Sequence, residues 1–130
     1  KLLIGVDLKK NPLIIQKAYL DEGGITKKFN LNLLLRINRE LDADFKIDDF
    51  DFYSYYDPDT GDVKSYIVSL RNQKVNIKKL DTTIEFKYDE LIWTELSKKY
   101  SLEEIEGLAE NNGFKILEYL PEPGIYCYDF

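Results

Sequence analysis

The hydrophobic spacing changes twice along this chain, and those changes restrict the fold more than any other feature. Phe29, Leu33, Leu34, Ile37 and Leu41 recur every three or four residues, which predicts a helix from Thr26 with that face in a core. From residue 50 the period is two. An aromatic-rich strand over Phe50–Tyr56, a turn at Pro58–Gly61 and a returning strand over Val63–Leu70 make a hairpin. Val75–Ile77, Thr83–Phe86 and Glu90–Lys98 read as three more strands, so the middle of the chain is expected to be an antiparallel sheet. At Ser101-Leu102-Glu103-Glu104 the helical pattern returns with a capping box, and this helix should run to Asn112-Gly113.

The flanks complete the order. Leu2 to Val6 is a continuous apolar run closed by Asp7, the pattern of a strand buried on both faces in a parallel sheet. Asn11-Pro12 starts a helix with an apolar stripe of Ile14, Ile15, Ala18 and Tyr19, which Gly23-Gly24 stops. Thr26 is the expected N-cap of the next helix. Phe114–Leu120 and Ile125–Phe130 are strands about a Pro121–Gly124 turn. The sequence therefore describes an α/β layer interrupted by an antiparallel insertion, all within 130 residues, a single compact unit.

Composition removes several function classes. The net charge of −6 argues against a nucleic-acid partner, and the Lys pairs at 9–10, 27–28, 78–79 and 98–99 read as solvated faces. No apolar run has the roughly 20 residues of a membrane helix. With no His and one Cys, a structural zinc site and a His-activated nucleophile are both excluded. The lone Cys127 points to a reducing cytoplasm. Asp42, Asp44, Asp48, Asp49 and Asp51 lack the spacing and central Gly of a calcium loop and read as a solvated linker. The chain has no Met and opens directly into a strand, so it reads as a piece of a longer protein.

Two constellations carry chemistry. In an ideal strand Leu91, Trp93, Glu95 and Ser97 share a face, where a carboxylate and a hydroxyl beside an indole suit a cationic or NH-bearing ligand. A solvated strand end, with Glu95 paired to a Lys, accounts for the same residues and is the commoner case. Tyr19, Thr26 and Phe29 flank the Gly23-Gly24 corner, where free backbone NH groups of a helix start favour a ligand carboxylate. The alternative is that Tyr19 and Phe29 are packing and Thr26 only a cap. Asn30 and Asn32 point in different directions, so at most one faces any site.

The segments LLIGVDLKKNP, AYLDEGGITKKFNLNLLLRINRELDADF, RNQKV and WTELSKKYS occur in an order and spacing that resembles the C-terminal half of the histidine-specific N-alpha-methyltransferases of ergothioneine biosynthesis. The resemblance covers essentially the whole chain, and GITKKFNLNLL followed by INREL is its most specific part. It implies a Rossmann-type methyltransferase core with an inserted α+β substrate domain. Residues 1–10 would be a late core strand, 11–100 the insertion and 101–130 the returning helix and last two strands.

The same resemblance implies site roles. Glu95 and Ser97 match the residues that hold the substrate imidazole, while Tyr19, Thr26 and Phe29 match the rest of the pocket, Tyr19 toward the backbone end of the amino acid. Ser65 stands where the family commonly has a Met packed on the substrate ring, so the pocket would be wider or wetter. These residues position the substrate, and none makes a bond. S-adenosylmethionine would be bound mainly by residues upstream, so the chain by itself is expected to be inactive and to self-associate through exposed core strands. A non-catalytic amino-acid-binding or partner-binding module is the alternative.

Overall fold

A computed structural model describes residues 2–20, 23–120 and, as backbone, 125–129. The elements run β1 (Leu2–Gly5), α1 (Pro12–Tyr19), α2 (Ile25–Leu41), β2 (Phe50–Asp57), β3 (Asp62–Ser69), β4 (Gln73–Ile77), β5 (Thr82–Phe86), β6 (Leu91–Lys98), α3 (Leu102–Asn111), β7 (Lys115–Leu120) and β8 (Ile125–Asp129). This is a mixed α/β fold whose strands form antiparallel sheets.

Local signals account for most boundaries. Asn11 caps α1 by accepting the Leu13 N–H at 2.9 Å, and Pro12 occupies the first turn, where no donor is needed. Ser101 and Glu104 close the predicted capping box of α3. The N-cap of α2 is Gly24, at φ 63°, and not Thr26, which lies inside the first turn. The left-handed region is open to Gly at little steric cost, so the corner turns two residues earlier than the expected Thr26 cap would require.

The expected single antiparallel sheet is two, β2-β3-β6 and the hairpin β4-β5. The helix α2 lays Leu31 and Leu34 on Phe50 and Ile67 of the first and on Val75, Ile77 and Phe86 of the second, with Phe45 between them. That core face is rotated from the expected stripe. Leu34, Ile37 and Leu41 face inward, whereas Phe29 is 75% exposed and Leu33 is also exposed. In α1 likewise Ile15 and Tyr19 face inward and Ile14 and Ala18 outward.

The third sheet has the order β1-β8-β7, with β8 antiparallel to both neighbours. The Leu2–Val6 run is therefore not paired in a parallel sheet within this chain. Its burial alternates: Leu2, Ile4 and Val6 pack with Ile105 and Ala109 of α3, while Leu3 is 64% exposed.

The stretch after β1 ties this sheet to the β2–β3 turn and the residues that follow β6. Leu8 bridges Tyr100 in parallel, the Tyr100 N–H donates to the Asp7 carbonyl at 2.9 Å, and the Lys9 N–H donates to the Tyr100 carbonyl at 2.9 Å. On the other side the Lys99 N–H donates to the Gly61 carbonyl at 2.7 Å. Residue 99 is thus held between the first strand's tail and the β2–β3 turn.

The acidic stretch predicted as a solvated linker is more ordered than that. Asp44 accepts from Asn76, Asp51 pairs with Lys27 at 2.7 Å and Asp49 with Arg71 at 3.1 Å. The Pro121–Gly124 turn lies outside the described residues.

Candidate functional site

The register of β2-β3-β6 builds the site. Reading across the three strands, Phe52 lies opposite Ile67 and Ile67 opposite Ile92, Ser54 opposite Ser65 and Ser65 opposite Glu95, Tyr56 opposite Val63 and Val63 opposite Ser97. Val63, Ser65 and Ile67 are all buried, so these rows lie on the face that α1 and α2 cover.

A register shift between Ser65 and Tyr66 changes the expected grouping on β6. Tyr66 pairs with Trp93 and Ser65 with Glu95, so β6 carries one extra residue, Thr94. Neighbouring residues of β3 point to opposite sides, so Trp93 and Glu95 fall on opposite faces. Trp93, 63% exposed, lies on the side of Tyr66 and Tyr53, whose rings stack at 6.2 Å between centroids. Glu95 and Ser97 stay together, and the Ser97 hydroxyl donates to the Glu95 carboxylate at 2.8 Å. The bulged Thr94 hydroxyl stands 2.9 Å from Asn30 Oδ1, and Asn30 donates from Nδ2 to the Thr26 carbonyl at 3.0 Å. Asn30 is buried and Asn32 exposed, so one of the two faces the site, as spacing requires.

Tyr19 approaches the same face. Its ring packs on Ile15, Tyr56 and Val63, the row that ends in Ser97. Gln16, one turn earlier, donates to the Ser54 carbonyl and accepts from the Tyr56 N–H, both at 2.9 Å. Its amide continues the hydrogen-bond ladder at the edge of β2 and fixes α1 against the sheet. Phe29 projects from the first turns of α2 into solvent, outside the core. The structure thus brings Tyr19, Ser65, Glu95 and Ser97 to one face and holds Thr26 through the Asn30–Thr94 link.

Sequence reasoning missed two groups as arrangements, Ser54 against the already named Ser65 and Lys99 against Tyr19. Ser54 and Ser65 are directly opposed, each 1% exposed, and neither hydroxyl has a hydrogen-bond partner among the described atoms. An unsatisfied buried hydroxyl costs about 1–3 kcal/mol. The second group corrects the reading of residues 98–99 as a solvated face. Lys99 is 5% exposed, donates to the Tyr19 hydroxyl at 2.8 Å and pairs with Asp7 at 3.1 Å. Burial by itself lowers the Lys99 ammonium, but bonds to Tyr19 and Asp7 outweigh it and hold it above its ordinary range. No single-residue signal marks this lysine, because its partners lie on other elements.

The cofactor that the resemblance implies does not fit these residues alone. The connection from β1 to α1, residues 6–11, contains no Gly for a phosphate- or nucleotide-cradling turn. The apolar recess under β1, about 250 Å³, is lined chiefly by Leu2, Ile4, Val6, Ile105 and Phe114 and has no carboxylate for a ribose diol.

Comparison with known proteins agrees with the resemblance. The sequence profile of a family described as "Histidine-specific methyltransferase, SAM-dependent" matches residues 1–128. A histidine N-alpha-methyltransferase of Mycobacterium tuberculosis is 37% identical over 99 residues, 76% of this chain and 31% of the relative. One from Mycolicibacterium smegmatis is 31% identical over 122 residues, 94% of this chain and 38% of the relative. Ergothioneine biosynthesis protein 1 of Schizosaccharomyces pombe is 32% identical over 117 residues, 89% of this chain and 15% of the relative. The chain therefore spans well under half the length of the curated relatives it matches. With a profile match over nearly every residue, the chain belongs to the family of S-adenosylmethionine-dependent, histidine-specific methyltransferases.

Proposed function

We propose that this chain is the substrate-recognition part of an enzyme that methylates the alpha-amine of histidine or a related amino acid, with S-adenosylmethionine as methyl donor. The observation that carries this reading is the Glu95–Ser97 pair on the sheet face that Tyr19 also packs against. A neutral imidazole offers one N–H donor and one bare nitrogen acceptor. The Glu95 carboxylate accepts the first, and the Ser97 hydroxyl turns from Glu95 to donate to the second. Tyr19 and Thr26 orient the backbone end of the amino acid, and the exposed Phe29 ring walls the pocket. Ser65, opposite Glu95, gives a short polar floor where the family commonly has Met, leaving room for a larger ring or for water.

These residues accelerate the reaction by placement. S-adenosylmethionine, when bound by the rest of the enzyme, would supply the methyl group, and holding the amino acid in place for it would contribute up to about 7–11 kcal/mol in favourable cases. The reading extends to the architecture. Residues 1–10 and 101–130 form the edge of a Rossmann-type core, and residues 11–100 form an inserted substrate domain. The support is that Ile105 and Ala109 gather the β1 residues into one apolar cluster, separate from the α2 cluster of the insertion.

Calorimetric titration of the full-length parent protein with L-histidine tests the proposal, with Glu95→Ala as the comparison. Loss of one charged hydrogen bond should weaken binding by about ten- to a hundredfold. Equal affinities would remove Glu95 from the site, and histidine binding without methyl transfer by the full-length parent protein would select the non-catalytic binding module.

A further inference from the structure

Lys99 is nearly fully buried, and the ion pair described for it reaches Asp7, on the tail of β1. Its backbone is pinned on both sides, by Gly61 through its N–H and through Tyr100 to Asp7, so the start of the side chain has a fixed location. From there the ammonium reaches across to α1. It lies 2.8 Å from the Tyr19 oxygen and 5.0 Å from the centre of the Tyr19 ring, and Asp7 holds it from the far side at 3.1 Å.

The chemistry of this contact has one direction. An ammonium carries three donors and no acceptor, so the Tyr19 oxygen must accept from it. The phenol proton is then left to donate elsewhere, and the neighbouring positive charge strengthens it as a donor toward an anion. A Tyr19 hydroxyl without Lys99 could instead spend its proton on any nearby carbonyl or on water.

We propose that Lys99 is a positioning residue of the amino-acid site: fixed by Asp7, its ammonium holds the Tyr19 oxygen as acceptor and commits the Tyr19 O–H to the substrate carboxylate. The inference rests on the reading of the site given above. It adds that recognition of the carboxylate is set by a residue that does not touch the substrate.

Competition calorimetry on the full-length parent protein tests it with L-histidine and L-histidinol, which keeps the amine and the imidazole but has an alcohol in place of the carboxylate. The unaltered protein should prefer L-histidine by about tenfold, the weight of one hydrogen bond to a charged group. In Lys99→Met that preference should fall to near one. A merely structural role for Lys99 would weaken both ligands alike and leave the ratio unchanged, which overturns the inference. Should Lys99→Met fail to fold, Tyr19→Phe keeps the lysine and removes only the hydroxyl, and an undiminished preference there overturns it equally. Failure of L-histidine to bind the unaltered protein would instead sink the site reading itself.

Discussion

Ser65 and Glu95 face one another across β3 and β6, beside the bulge at Thr94 that sends Trp93 to the opposite side of the sheet. That relationship sets which side chains can meet a common ligand. It puts a fully buried hydroxyl beside an exposed carboxylate and continues the row to Ser54.

Removing the buried hydroxyls should not harm the fold. Ser54→Ala and Ser65→Ala each delete a polar atom that has no hydrogen-bond partner among the described residues and leave a methyl that packs in the same space. Each variant is expected to melt at the same temperature as the unaltered chain or above it, with a gain of up to about 1 kcal/mol. A loss of more than that in urea unfolding would mean that the hydroxyl is bonded to an ordered water or ligand.

Gly61 should be intolerant. Its φ is 77°, and a side chain there would run into the Lys99 carbonyl and the Lys9 side chain. The left-handed backbone alone costs an ordinary residue about 1–2 kcal/mol. Gly61→Ala should therefore lower the unfolding free energy by more than about 2 kcal/mol once the backbone clash is added. An unchanged urea midpoint would contradict the tight packing of the β2–β3 turn on residue 99.

Stability should fall in acid for an identifiable reason. Burial raises the Asp7 carboxyl, but bonds from Lys10 and Lys99 outweigh it and hold it below its ordinary 3.8. Asp51 is held below the same value chiefly by its bond from Lys27. A folded-state value below the unfolded one contributes stability above about pH 3.8, and that contribution disappears as pH falls through the folded value. Lys99, raised above 10.5, contributes below that pH and loses the contribution as pH rises through its folded value. Thermal melts of Asp7→Asn against pH should show a shallower acid limb; an identical limb would remove Asp7 from the account.

Self-association is expected of this chain. β1 ends the order β1-β8-β7, Leu3 on it is largely exposed, and an apolar recess lies beneath it. Unpaired strand edges and apolar faces recruit further chain. Light scattering at micromolar concentration should give a mass above 15.3 kDa, and Leu3→Lys should return it toward that value. A monomer throughout would contradict the expectation.

Signals confined to a few neighbouring residues were readable without the structure. Asn11-Pro12, the Ser101–Glu104 capping box, the period of two from Phe50 and the Pro58–Gly61 turn all act through the backbone within one turn or one hairpin. The pairing of Glu95 with Ser97 was readable for the same reason, since residues two apart on a strand share a face.

Tertiary structure decided the rest. An apolar run such as Leu2–Val6 records burial but not the direction of its neighbour, and here β8 pairs with it antiparallel. Strand alternation carries no mark of an extra residue, so the separation of Trp93 from Glu95 depends on the pairing with β3. The composition around Lys99 reads as a charged surface. Only folding brings Asp7 and Tyr19 to it from distant parts of the chain, because a buried charge becomes tolerable when the partners that satisfy it arrive with the packing.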